Sequence, residues 1–200
     1  MLETILFATR NPFKAQLFAP AFAGDGLRCL TLRDAGIEGP DVAEVGTTPE
    51  ANALLKTRAY HSATWPLVFG VDGGIEIDAL DGEPGLQARR WGGRFGDEVD
   101  DETWLAYLLH RMEGIPLPQR TARFVAAWVL IAPDGTAHTR RVCHPFTIAE
   151  RQLRPILPGS PISAVDWHDE DHLARRCKQV AADWAKWGIL DKLALKQDQT

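Results

Sequence analysis

The chain has 200 residues, of which 45% are hydrophobic and 24% are charged, so it can bury a hydrophobic core of ordinary size. Its formal net charge of −5 argues against a nucleic acid as the main partner, although a local basic cluster could still hold a small phosphorylated ligand. The first residues lack a signal-peptide pattern and no apolar run has transmembrane length. The three cysteines are far apart, which favours a reducing compartment. We therefore expect a cytoplasmic protein without a membrane partner.

The first predicted elements are a strand over residues 2–8 and a helix over 13–23, joined by a turn that favours anion binding. A strand that ends at a helix start gathers free backbone N–H groups and the positive end of the helix dipole. Asn11 adds an amide donor and Lys14 adds a positive charge, while Pro12 suits the first helical turn. The segment therefore predicts a phosphate site, although many α/β proteins begin in this way.

The rest of the chain alternates between strand and helix patterns. Thr48 can cap a helix that has Pro49 in its first turn, and Asp72 lies in a glycine-rich segment that favours a tight turn. The predicted elements are a strand over 28–32, a loop over 36–46, a helix from 48, a strand over 67–69 that enters the glycine-rich segment 70–74, a strand over 75–80, a loop over 84–97, a helix over 101–112, strands over 124–132 and 137–143, an unassigned proline-rich segment over 151–167, and a helix over 169–187. This order predicts an α/β fold with a mixed sheet.

Five segments carry a combination of residues that is more specific than any one of them. The stretch from Thr9 to Lys14 reads T-x-N-x-x-K, residues 44–56 read E-x-G-x-T followed by N-A-x-x-K, and residues 120–124 read R-x-A-x-F. Between them lie Val71-Asp72-Gly73-Gly74-Ile75, similar to D-D-S-G-L, and residues 77–85, similar to V-D-A-L-G-G-x-P-G. In this order the segments resemble the inosine triphosphate pyrophosphatase family, also called Ham1-like.

The resemblance implies a single Ham1-like domain over residues 1–200, built on an elongated mixed β-sheet flanked by helices, with two lobes and a central cleft. It places the phosphate and metal side mainly at 4–85 and the base pocket at about 145–180. It also implies Mg²⁺-dependent hydrolysis of a non-canonical nucleoside triphosphate to the monophosphate and pyrophosphate, and a homodimer.

The resemblance also implies a set of site residues. Hard oxygen ligands suit Mg²⁺, and cationic side chains neutralise the phosphate oxygens. The implied metal ligands are Glu44 and Asp72, the catalytic residues are Asp72 and Lys56, and the substrate-binding residues are Thr9, Asn11, Lys14, Lys56, Gly73 and Arg176. Gly73 would allow the backbone to approach the ligand closely.

The chain departs from the family pattern at two places. The first acid of the family's pair is Val71 here and its serine is Gly73, so one charge that could help to hold metal is missing. Residues 151–157 replace the aromatic motif F-G-Y-D-P-x-F, and Arg176 alone remains of S-H-R. Base specificity therefore stays open, and three alternatives remain: a nucleotide-binding protein with weakened catalysis, a pathway-specific hydrolase of an unusual nucleotide, and an interaction protein that keeps only the scaffold.

The segment before the last helix contains His168 and His172, whose i, i+4 spacing can place two imidazoles on one helix face. Because a third ligand is not evident and acidic residues lie between them, the pattern favours a helix start over a metal site. The helical spacing that follows predicts packing by Trp167, Leu173, Val180, Trp184 and Trp187.

Overall fold

The computed structural model describes residues 3–38, 42–96, 98–168 and 171–189. The strands are β1 (Thr4–Phe7), β2 (Arg28–Thr31), β3 (Val68–Ile77), β4 (Pro84–Gly85), β5 (Thr121–Ile131) and β6 (Ala137–Thr147). The helices are α1 (Pro12–Gly24), α2 (Pro49–Tyr60), α3 (Asp101–Arg111) and α4 (His172–Trp187), and short 3₁₀ turns occupy Asp78–Leu80, Leu117–Gln119 and Pro161–Ala164. Within these ranges, none of the helices has the length and apolar character needed to cross a bilayer.

The six strands described form one mixed sheet in the order β2-β1-β3-β5-β6, with β4 paired to β3. Strand β1 runs parallel to β2 and β3, whereas β5 pairs antiparallel with both β3 and β6. The hairpin of β5 and β6 turns at Pro133-Asp134-Gly135, where the sequence predicts it. The predicted α/β class with a mixed sheet is therefore confirmed.

Two large hydrophobic cores lie along this sheet, beside two smaller clusters, and they correspond to the two expected lobes. The first core packs α1 and α4 on the sheet around the ring of Phe69, which lies 5.2 Å from the rings of Phe7 and Trp184. The second core packs α3 and the segment around Val165 on the other end of β3, β5 and β6. Because the long strands β3 and β5 contribute to both cores, they connect the lobes, and the space between the lobes opens beside them.

The sequence predicts two separate strands over 67–69 and 75–80, and this division is wrong, because β3 continues through residues 70–74 as one strand of ten residues. The glycines serve close packing instead. A Cβ at Gly70 would lie 2.2 Å from the Thr57 hydroxyl of α2, and one at Gly74 would lie 2.0 Å from the Gly85 carbonyl of β4. The strand needs these glycines because its neighbours approach closely, not because the chain reverses there.

The end of the chain also differs from the prediction. Helix α4 starts at His172 rather than at 169, and residues 169 and 170 of the predicted helix lie outside the described residues. Val180, Trp184 and Trp187 are buried as predicted. Trp167 is 50% exposed, so its predicted packing is wrong: it precedes the helix and does not share the helical face.

Arg120 joins the parts of the second lobe. Its guanidinium group is buried and donates to four backbone carbonyls, at 2.6 Å to Met112, 3.2 Å to Ile115, 2.9 Å to Ile148 and 2.8 Å to Ala149. These bonds connect the end of α3 with the end of β6. The R-x-A-x-F motif thus begins with a structural arginine.

We expect Arg120→Met to lower the free energy of unfolding by about 3 kcal/mol, because four buried carbonyls lose their donor. Urea unfolding followed by tryptophan fluorescence measures the effect. Arg28→Met, at an exposed arginine on β2, is the matched control and should change stability by less than about 0.5 kcal/mol. Equal losses for the two variants would show that the carbonyl contacts contribute little.

Candidate active site

The loop between β1 and α1 is shaped by its own polar side chains. The Asn11 side-chain oxygen accepts hydrogen bonds from the backbone N–H groups of Phe13 (2.9 Å) and Lys14 (3.3 Å), so Asn11 is the N-cap of α1. The Thr9 hydroxyl accepts from the Asn11 N–H at 3.1 Å. Three backbone N–H groups of this loop, expected from the sequence to be free for phosphate, therefore have side-chain acceptors within the loop.

The same loop contacts two distant segments that border the cleft. The Asn11 amide donates to the Gly159 carbonyl at 3.2 Å, and Lys14 Nζ donates to the Val71 carbonyl of β3 at 3.4 Å. The Gly159 N–H in turn donates to Asp101 at the start of α3, at 2.9 Å. The loop between β1 and α1 is thus hydrogen-bonded across the cleft to the second lobe, while the Lys14 ammonium lies beside β3.

Lys56 joins the two predicted metal ligands. It projects from α2, contacts the Glu44 carboxylate, and lies 3.3 Å from Asp72 Oδ1 on β3. Burial works against the charged ammonium, but the two carboxylates outweigh it, so the pKa of Lys56 is raised and the side chain carries its charge at neutral pH. The structure thus brings Glu44, Lys56 and Asp72 together, as the sequence analysis predicts.

Asn52 holds the loop that carries Glu44. The Asn52 side-chain oxygen accepts from the Gly46 N–H at 2.7 Å, and a Cβ at Gly46 would lie only 2.6 Å from that oxygen. The segment from Glu44 to Asn52 therefore needs both its glycine and its asparagine. The family motif over residues 44–56 has a local structural reason: it fixes the acidic loop against α2.

Asp72 has an unsatisfied oxygen. The residue is only 4% exposed, and its Oδ2 atom is buried without a hydrogen-bond partner in the part of the chain that the structure describes. A buried carboxylate oxygen is stable only when a donor or a cation satisfies it. Together with Glu44, this oxygen fits a hard divalent cation such as Mg²⁺, which keeps several waters and needs few protein ligands.

A cavity of about 520 Å³ extends from this acidic cluster to the other end of the cleft. Lys14, Glu44, Lys56 and Asp72 border one end, and the lining continues along Phe124, Val142, His144, Ser160, Ile162 and Arg176. The volume suits a small-molecule ligand. The mixture of charged groups at one end and apolar walls at the other suits a ligand with an anionic part and a less polar part.

Arg176 is the polar anchor of the less charged end. It is almost wholly buried, and its guanidinium carbon lies 4.1 Å above the centre of the Phe124 ring. Burial, aided by the charge of Arg175, lowers its pKa to about 10, so Arg176 remains charged at neutral pH. Its Nη1 atom donates to Gln179 at 3.0 Å. The structure therefore places Arg176 in the same cavity as the phosphate-side residues.

Gly73 borders the cavity, but its neighbours on β5 already account for the glycine. A Cβ at Gly73 would lie 2.4 Å from the Val125 carbonyl and 2.7 Å from Ala126. The glycine in place of the family's serine therefore allows β3 and β5 to approach closely. The expected approach of its backbone to a ligand stays a prediction.

The residues around His172 form a buried ionic cluster. The Asp166 carboxylate lies 2.7 Å from His172 Nδ1 and also binds Arg175. Burial of Asp166 acts against its charge, but His172 and Arg175 outweigh that effect and lower its pKa. Asp171 caps the helix by accepting from the Ala174 N–H at 2.8 Å, in agreement with the predicted helix start.

Sequence reasoning missed two residues of the cavity wall and its support. His144 of β6 lines the cavity, and Asp183 of α4 binds it at 2.7 Å. Period-two alternation along β6 could have placed His144 on the inner face, because it is spaced evenly with Val142 and Phe146. No local pattern could have paired it with Asp183, which lies 39 residues away.

The fold and the cleft define a class: α/β proteins in which a helix start, two lysines and two acids border a cavity for an anionic small molecule. The chain belongs to the Ham1 family, whose pattern matches residues 5–149. One relative, a dITP/XTP pyrophosphatase of Geobacillus kaustophilus, is 37% identical over 150 residues, which are 74% of this chain and 71% of the relative.

Two solved structures share the fold. A nucleoside-triphosphatase, or dITP/XTP pyrophosphatase, of Mycobacterium abscessus matches with a TM-score of 0.62 and 28% identity, over 90% of this chain and 96% of that protein. The Ham1 protein of Staphylococcus aureus matches with a TM-score of 0.67 and 22% identity, over 99% of this chain and 100% of that one. The second likeness concerns the fold alone.

Proposed function

We propose that this protein is a nucleoside triphosphate pyrophosphatase, which hydrolyses a non-canonical nucleoside triphosphate to the monophosphate and pyrophosphate. The observation that carries the proposal is the single cavity that joins the cluster of Glu44, Lys56 and Asp72 to the buried Arg176. A triphosphate at the charged end would place its base toward Arg176. The activity printed for the relatives, dITP/XTP pyrophosphatase, supports the same reaction.

In this proposal Lys14 and Lys56 bind the phosphate oxygens and reduce their charge, which otherwise repels a nucleophile. Glu44 and Asp72 would hold Mg²⁺, which when bound would supply Lewis-acid stabilisation of charge on the phosphates. Asp72 Oδ2 is buried without a partner among the described residues, so as an alternative to metal binding this oxygen can accept a proton from the attacking water. Thr9 and Asn11 keep the phosphate loop in its shape, and the backbone of Gly73 borders the ligand.

The proposal extends to the form of the protein in the cell. We place residues 1–200 in a single Ham1-like domain that acts as a homodimer in the cytoplasm, on a small nucleotide and not on nucleic acid. The two cores share the strands β3 and β5, which supports one domain. Gel filtration with light scattering would test the dimer, and a mass of about 22 kDa would contradict it.

A second candidate is a nucleotide-binding protein that has lost most of its catalysis. Val71 favours it, because the carboxylate that precedes Asp72 in the family is missing. The rebuilt segment 151–157 favours a third candidate, a pathway-specific hydrolase of an unusual nucleotide. Retention of the Glu44–Lys56–Asp72 cluster favours hydrolysis over binding alone.

A hydrolysis screen tests the proposed function. The purified protein is incubated with Mg²⁺ and a panel of standard and deaminated nucleoside triphosphates, with and without added inorganic pyrophosphatase. We expect phosphate to appear only when inorganic pyrophosphatase is present, because cleavage at the α–β bond releases pyrophosphate. Phosphate without that enzyme would indicate cleavage of the terminal phosphate and contradict the proposal, as would the absence of any hydrolysis.

A further inference from the structure

Asp101 is the first residue of α3, but its carboxylate does not cap the helix. The capping residue is Asp100, whose side chain accepts from the Thr103 N–H at 2.7 Å. Both oxygens of Asp101 are used outside α3: Oδ1 binds the Arg89 guanidinium, and Oδ2 accepts from the Gly159 N–H at 2.9 Å. Arg89 and Gly159 border the cavity, whereas Asp101 lies outside its lining. Asp101 therefore supports two segments of the cavity wall from behind.

Gly159 extends this contact to the first lobe. Its carbonyl oxygen accepts from the Asn11 side-chain amide at 3.2 Å. A Cβ at Gly159 would lie 2.9 Å from the Asn11 side-chain oxygen, and the backbone has a φ of +79°, so this contact requires a glycine. Asp101, Gly159 and Asn11 thus form a chain of hydrogen bonds that crosses the cleft.

The loop that carries Asn11 does not need this chain for its own shape. The Asn11 side-chain oxygen caps α1, and the Thr9 hydroxyl accepts from the Asn11 N–H, so these bonds lie within the loop. Loss of the bond to Gly159 would therefore leave the loop folded and change only its position relative to the second lobe. A ligand at the charged end alone would not sense that change, whereas a ligand that spans the cavity would.

We infer that Asp101 is a positioning residue: through Gly159 and Asn11 it holds the two walls of the cleft at the separation that a nucleoside triphosphate spans. Such a bridge orders the site before the ligand binds, so it contributes to affinity more than to the chemical step. Once a ligand contacts both ends, it holds the walls itself. The inference rests on the proposed function, since it takes the ligand to have its phosphates at the charged end and its base toward Arg176.

Asp101→Ala tests the inference, because alanine cannot accept from Gly159. The KM for hydrolysis of inosine triphosphate should rise by about tenfold, while kcat stays within about threefold of wild type. Inorganic tripolyphosphate, a competitor that reaches only the charged end, should keep its Ki within about twofold. A merely structural role would give a different pattern, because a smaller folded fraction lowers the apparent kcat and leaves KM unchanged.

Gly159→Ala interrupts the same chain at its middle, because the added Cβ displaces the Asn11 oxygen. If Asp101 acts through Gly159, the two changes are not additive. The double variant should then have a KM within about twofold of that of Gly159→Ala alone. Independent effects would multiply the two increases in KM, and that result would overturn the inference.

Glu102→Ala is the matched control, because Glu102 is the other acidic residue in the first turn of α3 and is exposed. It removes the same charge from the start of the helix and should keep the wild-type KM, kcat and Ki. A KM of Asp101→Ala equal to that of Glu102→Ala, in protein that releases pyrophosphate, would overturn the inference and leave the proposed function intact.

Two further outcomes would also contradict the role of Asp101. A lower Ki of tripolyphosphate for Asp101→Ala at unchanged KM would show that Asp101 restrains the Arg89 charge and does not act through Gly159. Failure of the wild-type protein to hydrolyse any nucleoside triphosphate would overturn the proposed function and the inference together.

Discussion

Asp72→Asn is expected to lower the rate of pyrophosphate release by roughly 10²–10³-fold while the protein stays folded. Asparagine has the size of aspartate, so the packing of β3 is kept. It has no charge to hold Mg²⁺ and cannot accept a proton from water as a carboxylate does. The loss should appear in kcat rather than in the affinity for the nucleoside monophosphate, because Arg176 and the base end of the cavity are untouched.

The matched control is Asp78→Asn, just after β3. Asp78 is exposed, lies outside the cavity lining and is hydrogen-bonded to Thr121 and Arg123. Pyrophosphate release by Asp78→Asn should therefore stay within about threefold of wild type. Pyrophosphate release by both variants, with a check of their melting temperatures, gives the comparison. Activity of Asp72→Asn at the level of the control would remove Asp72 from the catalytic machinery and favour a site elsewhere.

The sequence predicts the fold well where local pattern and packing agree. The N-cap Thr48, Pro12 in the first turn of α1 and the apolar strand through Trp128 lie where the pattern indicates. It fails at residues 70–74, because a glycine-rich segment indicates a break between two strands when only its own sequence is considered. The partners that require these glycines, Thr57 and Gly85, come close only after folding.

The charged end of the site is more predictable than the base end. Glu44, Lys56 and Asp72 belong to ordered motifs, and the structure brings their side chains together. At the base end the family motifs are missing, and His144 depends on Asp183 from a helix remote in sequence.

The family has an acidic residue at the position of Val71, and the effect of its loss can be tested by restoring a carboxylate there. Val71 is buried in the first core and borders the cavity beside Asp72. Successive strand residues point to opposite faces, but Val71 and Asp72 both line this cavity, so a carboxylate at position 71 would lie close to a cation held by Glu44 and Asp72. Unless a cation binds, that carboxylate would be a charge in apolar surroundings.

Val71→Asp should therefore make stability depend on the metal. With EDTA present, we expect the free energy of unfolding to fall by about 3 kcal/mol, because a buried charge is uncompensated. Addition of Mg²⁺ should recover much of this loss, since the metal binds only the folded state. The Mg²⁺ concentration for half-maximal pyrophosphate release should fall by about tenfold, because a third carboxylate joins Glu44 and Asp72.

Val71→Asn separates the charge from the change of shape. It has the same size and polarity at the same position but cannot neutralise a cation, so it should lose stability without a gain from Mg²⁺ beyond that of wild type. Urea unfolding with and without Mg²⁺ measures how much the metal stabilises each of the two variants. If Mg²⁺ stabilises the two variants equally, position 71 is too far from the metal to contribute, and the chain needs only Glu44 and Asp72 as its carboxylate ligands. A larger gain for the aspartate variant would mean that valine weakens a metal site whose remaining geometry is intact.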